Sequence, residues 1–288
     1  SGWYESQGRP VPAIDHAIEG GDPPLALDLL RQHAPMLLQQ GRMRLLDRWF
    51  TAIPAELLKQ HPRLQVIAIW ARCMCQGPGE AMDWLEYSGC RESSDAEVQA
   101  HVRALLPVLF AMRDRYTEAH VAGRESIARL PSGNAFIDSV TMNAMAHIVA
   151  VAGERNEAQQ FLENARQSQG SSAFNRMYTE TVGGMLDLRE GRLRQATARF
   201  RMAVTSSSTA ATYNYAHGNA WAGFPYAGVL YEANDLTTAE SLLNVYLPLA
   251  RDVGLPDHMI ASYRMRSRIA FQRGEVDVSL QLITELEY

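Results

Sequence analysis

The sequence predicts an all-α protein that folds as a right-handed superhelix of helix hairpins. Three observations lead to this prediction. A short turn pattern recurs about every 40 residues, amphipathic helical runs flank each copy, and no strand-like alternation of four or more residues occurs between turn signals. A helix pair of this length cannot bury its apolar face alone, so neighbouring pairs must stack around one continuous core.

The recurring pattern is a turn followed by a small residue that begins an amphipathic run. Its six copies are QGPGEA, DRYTEA, GERNEA, GRLRQA, NDLTTA and GEVDVS, which end at Ala81, Ala119, Ala158, Ala196, Ala239 and Ser279. The spacings between these positions are 38, 39, 38, 43 and 40 residues. We interpret each small residue as the start of the second helix of a tetratricopeptide-like pair, whose first helix lines a concave face.

The N-terminal residues 1–77 are less regular than the repeats of residues 78–288. We expect helical hairpins there too, continuous with the repeats, so that the chain forms one domain overall. Asp22 is a good N-cap with proline in the first turn, and Ala52–Pro54 ends one helix and begins another. The stretch SSDAE predicts a capping box with Ser94 as N-cap and a glutamate three residues later.

Charge and hydropathy limit the partners of the chain. The net charge is −5 with both signs spread along the sequence, so no basic face predicts direct contact with nucleic acid. There is no run of 18 apolar residues and no signal peptide, which excludes a membrane span and favours the cytoplasm. The chain begins without methionine and stops within a helical run, so we expect it to be a piece of a larger protein.

Signatures of catalysis and metal binding are absent from the sequence. There is no H-E-x-x-H, G-x-S-x-G or Cys-x-x-Cys motif, and the eight histidines are dispersed. Cys73 and Cys75 would point in different directions on a helix, so we expect these thiols and Cys90 to be reduced and mostly buried. The sequence therefore predicts no enzyme, no metal site and no cofactor in this segment.

Residues of the concave face follow from the position of each small residue. On the tetratricopeptide pattern, groove-facing positions fall about 18, 15, 11, 8 and 7 residues before it. In the Ala239 repeat these positions include Trp221, Phe224 and Tyr231, with His217 one turn earlier on the same face. Pro225 interrupts this helix at a cost of about 3 kcal/mol, so either packing needs a kink there or the kink shapes the wall of a binding site.

Further candidates for ligand binding come from the other repeats. The same pattern selects Asn143, His147, Tyr178, Met185, Arg264, Arg268 and Phe271. Aromatic residues with a few polar groups are typical of a small-ligand site, and two arginines one turn apart could hold a carboxylate or phosphate. The alternatives are packing between repeats for the aromatic residues, local hydrogen bonds for the histidines, and solvation or pairing with acidic residues for the arginines.

A family resemblance rests on the order of several segments. Three segments near the N-terminus resemble the start of the helical-repeat sensor domain in MalT-type regulators, the large ATP-binding transcription activators of the LuxR family. These segments are WYESQGRPVPAIDHAIEGGD, ALDLL and LLQQGRMRLLDRWFTAIPAELLKQHPRL. LYEANDLTTAESLL and ASYRMRSRIAFQRGEVDVSLQLITELE resemble the last repeats of that family. The resemblance implies an ATPase module before Ser1, where ATP would bind, and a DNA-binding module after Tyr288.

Two functions are compatible with these observations. The first is an effector-sensing domain that binds a small inducer in the concave groove and couples it to ATP-dependent self-association and DNA binding by other domains. The second is an interaction scaffold whose groove binds a peptide, a partner regulator or a second copy of the chain. A closed aromatic pocket would favour the first, whereas a wide, open and charged groove would favour the second. The sequence does not identify the inducer.

Overall fold

The computed structural model describes most of the chain. The described residues are Tyr4 and residues 7–168, 170, 172–205, 216–253 and 256–286. At positions 205, 216–220, 249, 252–253 and 256–257 only the backbone is described.

Sixteen α-helices account for most of the described residues. In chain order they are α1 (Pro10–Glu19), α2 (Pro23–Gln39), α3 (Met43–Ala52), α4 (Ala55–Leu58), α5 (Pro62–Cys75), α6 (Pro78–Ser88), α7 (Ala96–Ala111), α8 (Tyr116–Ile127), α9 (Ala135–Val151), α10 (Arg155–Ser168), α11 (Ala173–Arg189), α12 (Leu193–Thr205), α13 (Ala216–Glu232), α14 (Leu236–Val253), α15 (Pro256–Gln272) and α16 (Val276–Thr284). A short 3-10 helix, Cys90–Glu92, follows α6. The described residues contain no β-strand, and the predicted all-α fold is confirmed.

The helices pair as the repeated turn pattern predicts. Each of α5, α7, α9, α11, α13 and α15 packs against the helix that follows it. The six repeated small residues lie at the starts of the second helices and all are buried: Ala81, Ala119, Ala158, Ala196, Ala239 and Ser279. A small side chain is needed there because the two helices of a pair approach each other closely at this point.

Local sequence signals set the ends of several helices. The carboxylate of Asp22 accepts a hydrogen bond from the backbone N–H of Leu25 at 3.1 Å, which confirms the predicted N-cap of α2. The predicted cap of α7 was wrong by one residue. Asp95 is the N-cap instead of Ser94, and its carboxylate accepts from the backbone N–H groups of Glu97 and Val98 at 2.9 and 3.3 Å. The charged carboxylate of Asp95 accepts from both donors, and hydrogen bonds to a charged acceptor are stronger than those to a hydroxyl.

The first helices of the pairs form one continuous layer. Helix α5 contacts α7, α7 contacts α9, and the series continues through α11 and α13 to α15. The layer curves enough for distant helices to meet, because α2 contacts α11 and α5 contacts both α13 and α14. At the first of these junctions the Ser172 hydroxyl donates to the Gln39 carbonyl oxygen at 3.1 Å. A contiguous apolar core extends from Ala13 to Ala222 inside this arrangement.

Helix α13 contains Pro225 in its interior, as the sequence predicts. Its close packing on α14 depends on Gly223, where a Cβ atom would lie 2.2 Å from the ring of Tyr246. The glycine therefore allows the aromatic ring of α14 to pack directly on the backbone of α13. Among the described residues, no helix combines the length and apolar character needed to cross a bilayer.

Candidate functional site

A cavity of about 650 Å³ lies between the first helices of six consecutive pairs. Its walls come from α5, α7, α9, α11, α13 and α15, with additional residues from α8 and α14. We call it the central cavity. Ligand sites in proteins have volumes of about 300–1,000 Å³ and are mostly apolar, so the size of the central cavity suits a small molecule.

Aromatic rings form a large part of the cavity wall. Seven lining residues carry a ring: Tyr116, His147, Phe174, Tyr178, Trp221, Phe224 and His258. Trp221 stands between two of them, with ring centroids 4.9 Å from His147 and 5.0 Å from Tyr178, both edge to face. Such contacts are each worth about 0.5–1.5 kcal/mol beyond area burial. They connect α9, α11 and α13 across the cavity.

The row of rings continues from the cavity into the core. Tyr178 contacts Phe174 at 6.2 Å, Phe174 contacts Phe136 at 6.0 Å, and Phe136 contacts Trp70 at 5.7 Å. Trp70 in turn donates from Nε1 to Nδ1 of the buried His101 at 3.1 Å. Because Trp70 lies on α5 and Tyr178 on α11, this packed row links one wall of the cavity to the start of the repeat array.

Five methionines complete the apolar lining. They come from α5, the C-cap of α7, α11 and α15: Met74, Met112, Met177, Met185 and Met265. Methionine is unbranched and polarizable, so it can adjust its shape to different apolar ligands and also packs well against rings. A wall of this kind indicates a site that recognises shape and apolar surface.

Two titratable groups in the cavity wall have pKa values shifted towards their neutral forms. Burial, with smaller contributions from the charges of Arg189 and His258, lowers the pKa of His147 to about 4. Burial also raises the pKa of the Tyr178 hydroxyl well above its usual value, with smaller contributions from Tyr116 and Cys73. No group of three or more histidine, cysteine, aspartate or glutamate side chains is arranged to hold a metal ion within the described part of the chain.

Five residues selected from the groove positions of the sequence line the central cavity. They are His147, Tyr178, Met185, Trp221 and Phe224. Phe224 is buried and contacts His258 at 5.3 Å and Tyr246 at 6.4 Å between ring centroids. Pro225 also lines the cavity, so its position in α13 is part of the wall. Their role in ligand binding stays a prediction.

Asn143 lies in the core instead of the cavity. Its side chain is fully buried, where it donates from Nδ2 to the Asn175 carbonyl oxygen at 3.3 Å and accepts from the Thr179 hydroxyl at 2.9 Å. These bonds join α9 to α11. Its polar atoms are therefore used within the protein, and it does not line the cavity as the sequence predicted.

Three further predicted residues lie outside the lining of the cavity: Tyr231, Arg264 and Arg268. The guanidinium of Arg268 stacks 4.3 Å from the ring centroid of Tyr231 and pairs with Glu232 at 3.4 Å. Arg268 thus follows the alternative given in the sequence analysis, in which an arginine pairs with an acidic residue. The side chain of Arg264 is exposed. His217 lies on α13, and its side chain is outside the described part of the structure.

Several lining residues were not selected from the sequence, although the signal was present. The groove positions counted back from Ala81 and Ala119 include Met74 and Met112, and those counted back from Ala196 include Leu188 and Arg189. These residues share the helical face of the selected ones. Among the methionines of the lining, Met185 was selected from the sequence and the others were not.

Comparison with known proteins agrees with this architecture. The family model of the MalT-like TPR region, where TPR stands for tetratricopeptide repeat, matches residues 100–288, more than half of the chain. The serine/threonine-protein kinase PknK of Mycobacterium tuberculosis is 25% identical over 283 residues, which is 96% of this chain and 25% of PknK. The HTH-type transcriptional regulator MalT of Yersinia enterocolitica is 27% identical over 171 residues, 58% of this chain and 19% of that protein.

A shorter match has higher identity. MalT of Yersinia pestis is 39% identical over 69 residues, which is 24% of this chain and 8% of that protein. The chain thus spans a quarter or less of the length of these curated relatives. The family match points to a regulatory helical region, although one of these relatives is named as a kinase. The resemblance seen in the sequence is confirmed, and the chain belongs to the family of MalT-like TPR regions.

Proposed function

We propose that this chain is the effector-sensing region of a MalT-like regulator and that it binds a small molecule in the central cavity. The observation that carries the proposal is a cavity of about 650 Å³ with aromatic and methionine walls and few polar groups. This composition is typical of small-ligand sites. It differs from the wide and charged groove that we would expect of a protein-binding scaffold.

The position of the cavity gives a route from binding to regulation. Its walls include Met74 on α5 and Met265 on α15, which belong to the first and last helix pairs that line it. A ligand that touches both walls favours the conformation in which they lie close together. In the intact regulator we propose that this change is coupled to ATP-dependent self-association and DNA binding by domains outside this chain, through different ligand affinities of the two conformations.

The test is a thermal-shift screen against sugars, carboxylic acids and acyl compounds, with binding confirmed by calorimetry. A ligand that binds only the folded state raises the melting temperature with the logarithm of its concentration. We expect Trp221→Ala to abolish the shift because this residue holds both His147 and Tyr178. Trp84→Ala is a matched control, since Trp84 is a half-buried tryptophan on α6 that packs on Arg72 at 4.0 Å outside the cavity.

Two outcomes would contradict the proposal. In the first, no compound binds although the protein is folded, and the scaffold that binds a peptide, a partner or a second copy becomes the better hypothesis. In the second, a compound binds equally well to the wild type and to folded Trp221→Ala, so that its site lies elsewhere on the chain.

A further inference from the structure

The charged residues of the central cavity are found where water reaches them. In the part of the lining that the structure describes, Asp114 and Arg189 are the acidic and basic residues, and both side chains are exposed. Arg189 also donates from its guanidinium to the carbonyl oxygen of Ala150. The deeper walls are thioethers, rings and aliphatic groups. A charged ligand placed against these walls would lose its hydration without a buried partner, which is costly.

Two polar side chains in the deeper wall make no hydrogen bond with any residue that the structure describes. Tyr178 is 7% exposed, and its hydroxyl makes no hydrogen bond with any described residue. The same holds for both ring nitrogens of the half-buried His147. Both rings are held in place by edge-to-face contact with Trp221, at 5.0 and 4.9 Å. Buried polar atoms are normally paired, so these groups are available to a bound molecule.

Burial shifts the pKa values of both groups towards their neutral forms. Burial lowers the pKa of His147 to about 4, so a positive charge is disfavoured there. Burial also raises the pKa of the Tyr178 hydroxyl, so a negative charge is disfavoured there. The two pKa values shift in opposite directions, and desolvation is the largest cause of both shifts, which indicates that ions are poorly solvated here. At neutral pH the cavity therefore offers a neutral hydroxyl and a neutral imidazole.

We infer that the central cavity takes an uncharged, mainly apolar molecule with one hydrogen-bonding group, which pairs with the Tyr178 hydroxyl and the His147 imidazole. This inference rests on the proposed function and adds the chemical class of the effector. Methionine walls accommodate either an acyl chain or a ring system. A sugar fits less well, because most of its hydroxyls would be buried without partners.

The experiment uses a hydrocarbon probe and three matched competitors. Diphenylhexatriene has no polar atoms and fluoresces in apolar surroundings, so we expect it to bind this chain with one site. Octanamide, octanoate and a linear glucose trisaccharide are then titrated against it at pH 7.5. Octanamide and octanoate share their chain length and differ in charge. We expect octanamide to displace the probe at concentrations at least about tenfold lower than octanoate, and the trisaccharide to have no effect.

Two conservative variants test the role of the polar groups, and one variant that fills the cavity tests whether the ligand binds there. Tyr178→Phe and His147→Phe keep a ring and remove the polar atoms, so each should weaken octanamide roughly three- to tenfold and leave the probe unaffected. Tyr87→Phe is the matched control, because that hydroxyl donates to Glu56 at 2.7 Å outside the cavity. Gly228→Leu extends a side chain from the cavity wall and should abolish probe binding, and melting curves show whether it is folded.

The outcomes separate this inference from the proposed function. In one outcome, octanoate or the trisaccharide binds wild type as tightly as octanamide, and Gly228→Leu abolishes this binding. The inferred chemical class of the effector is then wrong, whereas the proposed binding of a small molecule in the cavity is supported. Equal octanamide affinity in wild type and both phenylalanine variants would overturn the role of the two polar groups. If no compound binds wild type, or if all bind folded Gly228→Leu unchanged, both the inference and the proposed cavity site fail.

Discussion

Replacing Gly223 by alanine should destabilise the protein although alanine is the better helix former. A Cβ atom at this position would lie 2.2 Å from Cδ2 and Cε2 of Tyr246 and 2.9 Å from its Cγ. Non-bonded carbon atoms prefer about 3.5–4.0 Å, so the ring would have to move by more than about 1 Å. Tyr246 is 6% exposed and packs near Phe224, which leaves no open space for that movement.

Gly228 in the same helix provides the opposite case. A Cβ atom there would meet one neighbour, the Met265 methyl group at 3.7 Å, which is an ordinary contact. Gly228→Ala should therefore raise the free energy of unfolding by about 0.8–1 kcal/mol, because alanine has a higher helix propensity than glycine. In Gly223→Ala the same gain is offset by an overpacking cost of about 1–3 kcal/mol, for a net loss of up to about 2 kcal/mol. The two variants should differ by about 2 kcal/mol.

The assay is the melting temperature followed by circular dichroism at 222 nm. Since a change of 1 kcal/mol shifts melting by about 2–4 °C in chains of about 150–250 residues, the variants should melt several degrees apart, on opposite sides of wild type. In a Tyr246→Leu background the cost of Gly223→Ala should shrink, because the ring is gone. A Gly223→Ala protein that melts at or above wild type would refute the packing of α13 on α14 described above.

Three further predictions concern the core. His101 is buried, and desolvation lowers its pKa to about 4, whereas the unfolded value is about 6.5. The contribution of His101 to the free energy of unfolding should therefore be complete above pH 6.5 and fall by about 1.4 kcal/mol per pH unit towards pH 4. Melting temperatures measured against pH should fall less steeply in His101→Gln. Asn143→Ala removes two buried hydrogen bonds and should cost about 2–3 kcal/mol in urea unfolding. Burial raises the pKa of the Cys73 thiol to about 12, so with Cys75 and Cys90 replaced by serine it should react with a disulfide reagent only as fast as the chain unfolds.

Each of these predictions has a clear contrary result. An acid transition of unchanged steepness in His101→Gln would mean that this histidine takes up its proton in the folded state. If Asn143→Ala were as stable as wild type, the hydrogen bonds of Asn143 to α11 would make no net contribution to the free energy of unfolding. Rapid labelling of Cys73 under conditions where the protein stays folded would contradict its burial in the core.

The sequence predicts the repeats well because their signals are local. Turn residues, the small residue that follows them and the helical periodicity all act within about 40 residues, and the six predicted small positions are all buried. The N-cap of α7 was misplaced by one residue because Ser94 and Asp95 are both good caps, and the choice depends on the loop geometry. Five residues selected from the groove positions of the sequence line the central cavity: His147, Tyr178, Met185, Trp221 and Phe224.

The sequence by itself determined the helix pairs, their order and the face of each first helix that points to the concave side. These follow from 3.6-residue periodicity and from side-chain size, which are properties of neighbouring residues. Only the tertiary structure decided which of these residues meet in one cavity. That choice depends on the curvature of the stacked pairs, which brings α5 against α13 and α14, leaves Arg264 exposed, and places Arg268 beside Tyr231 and Glu232. Curvature sums small packing angles over many interfaces, and no local stretch of sequence encodes it.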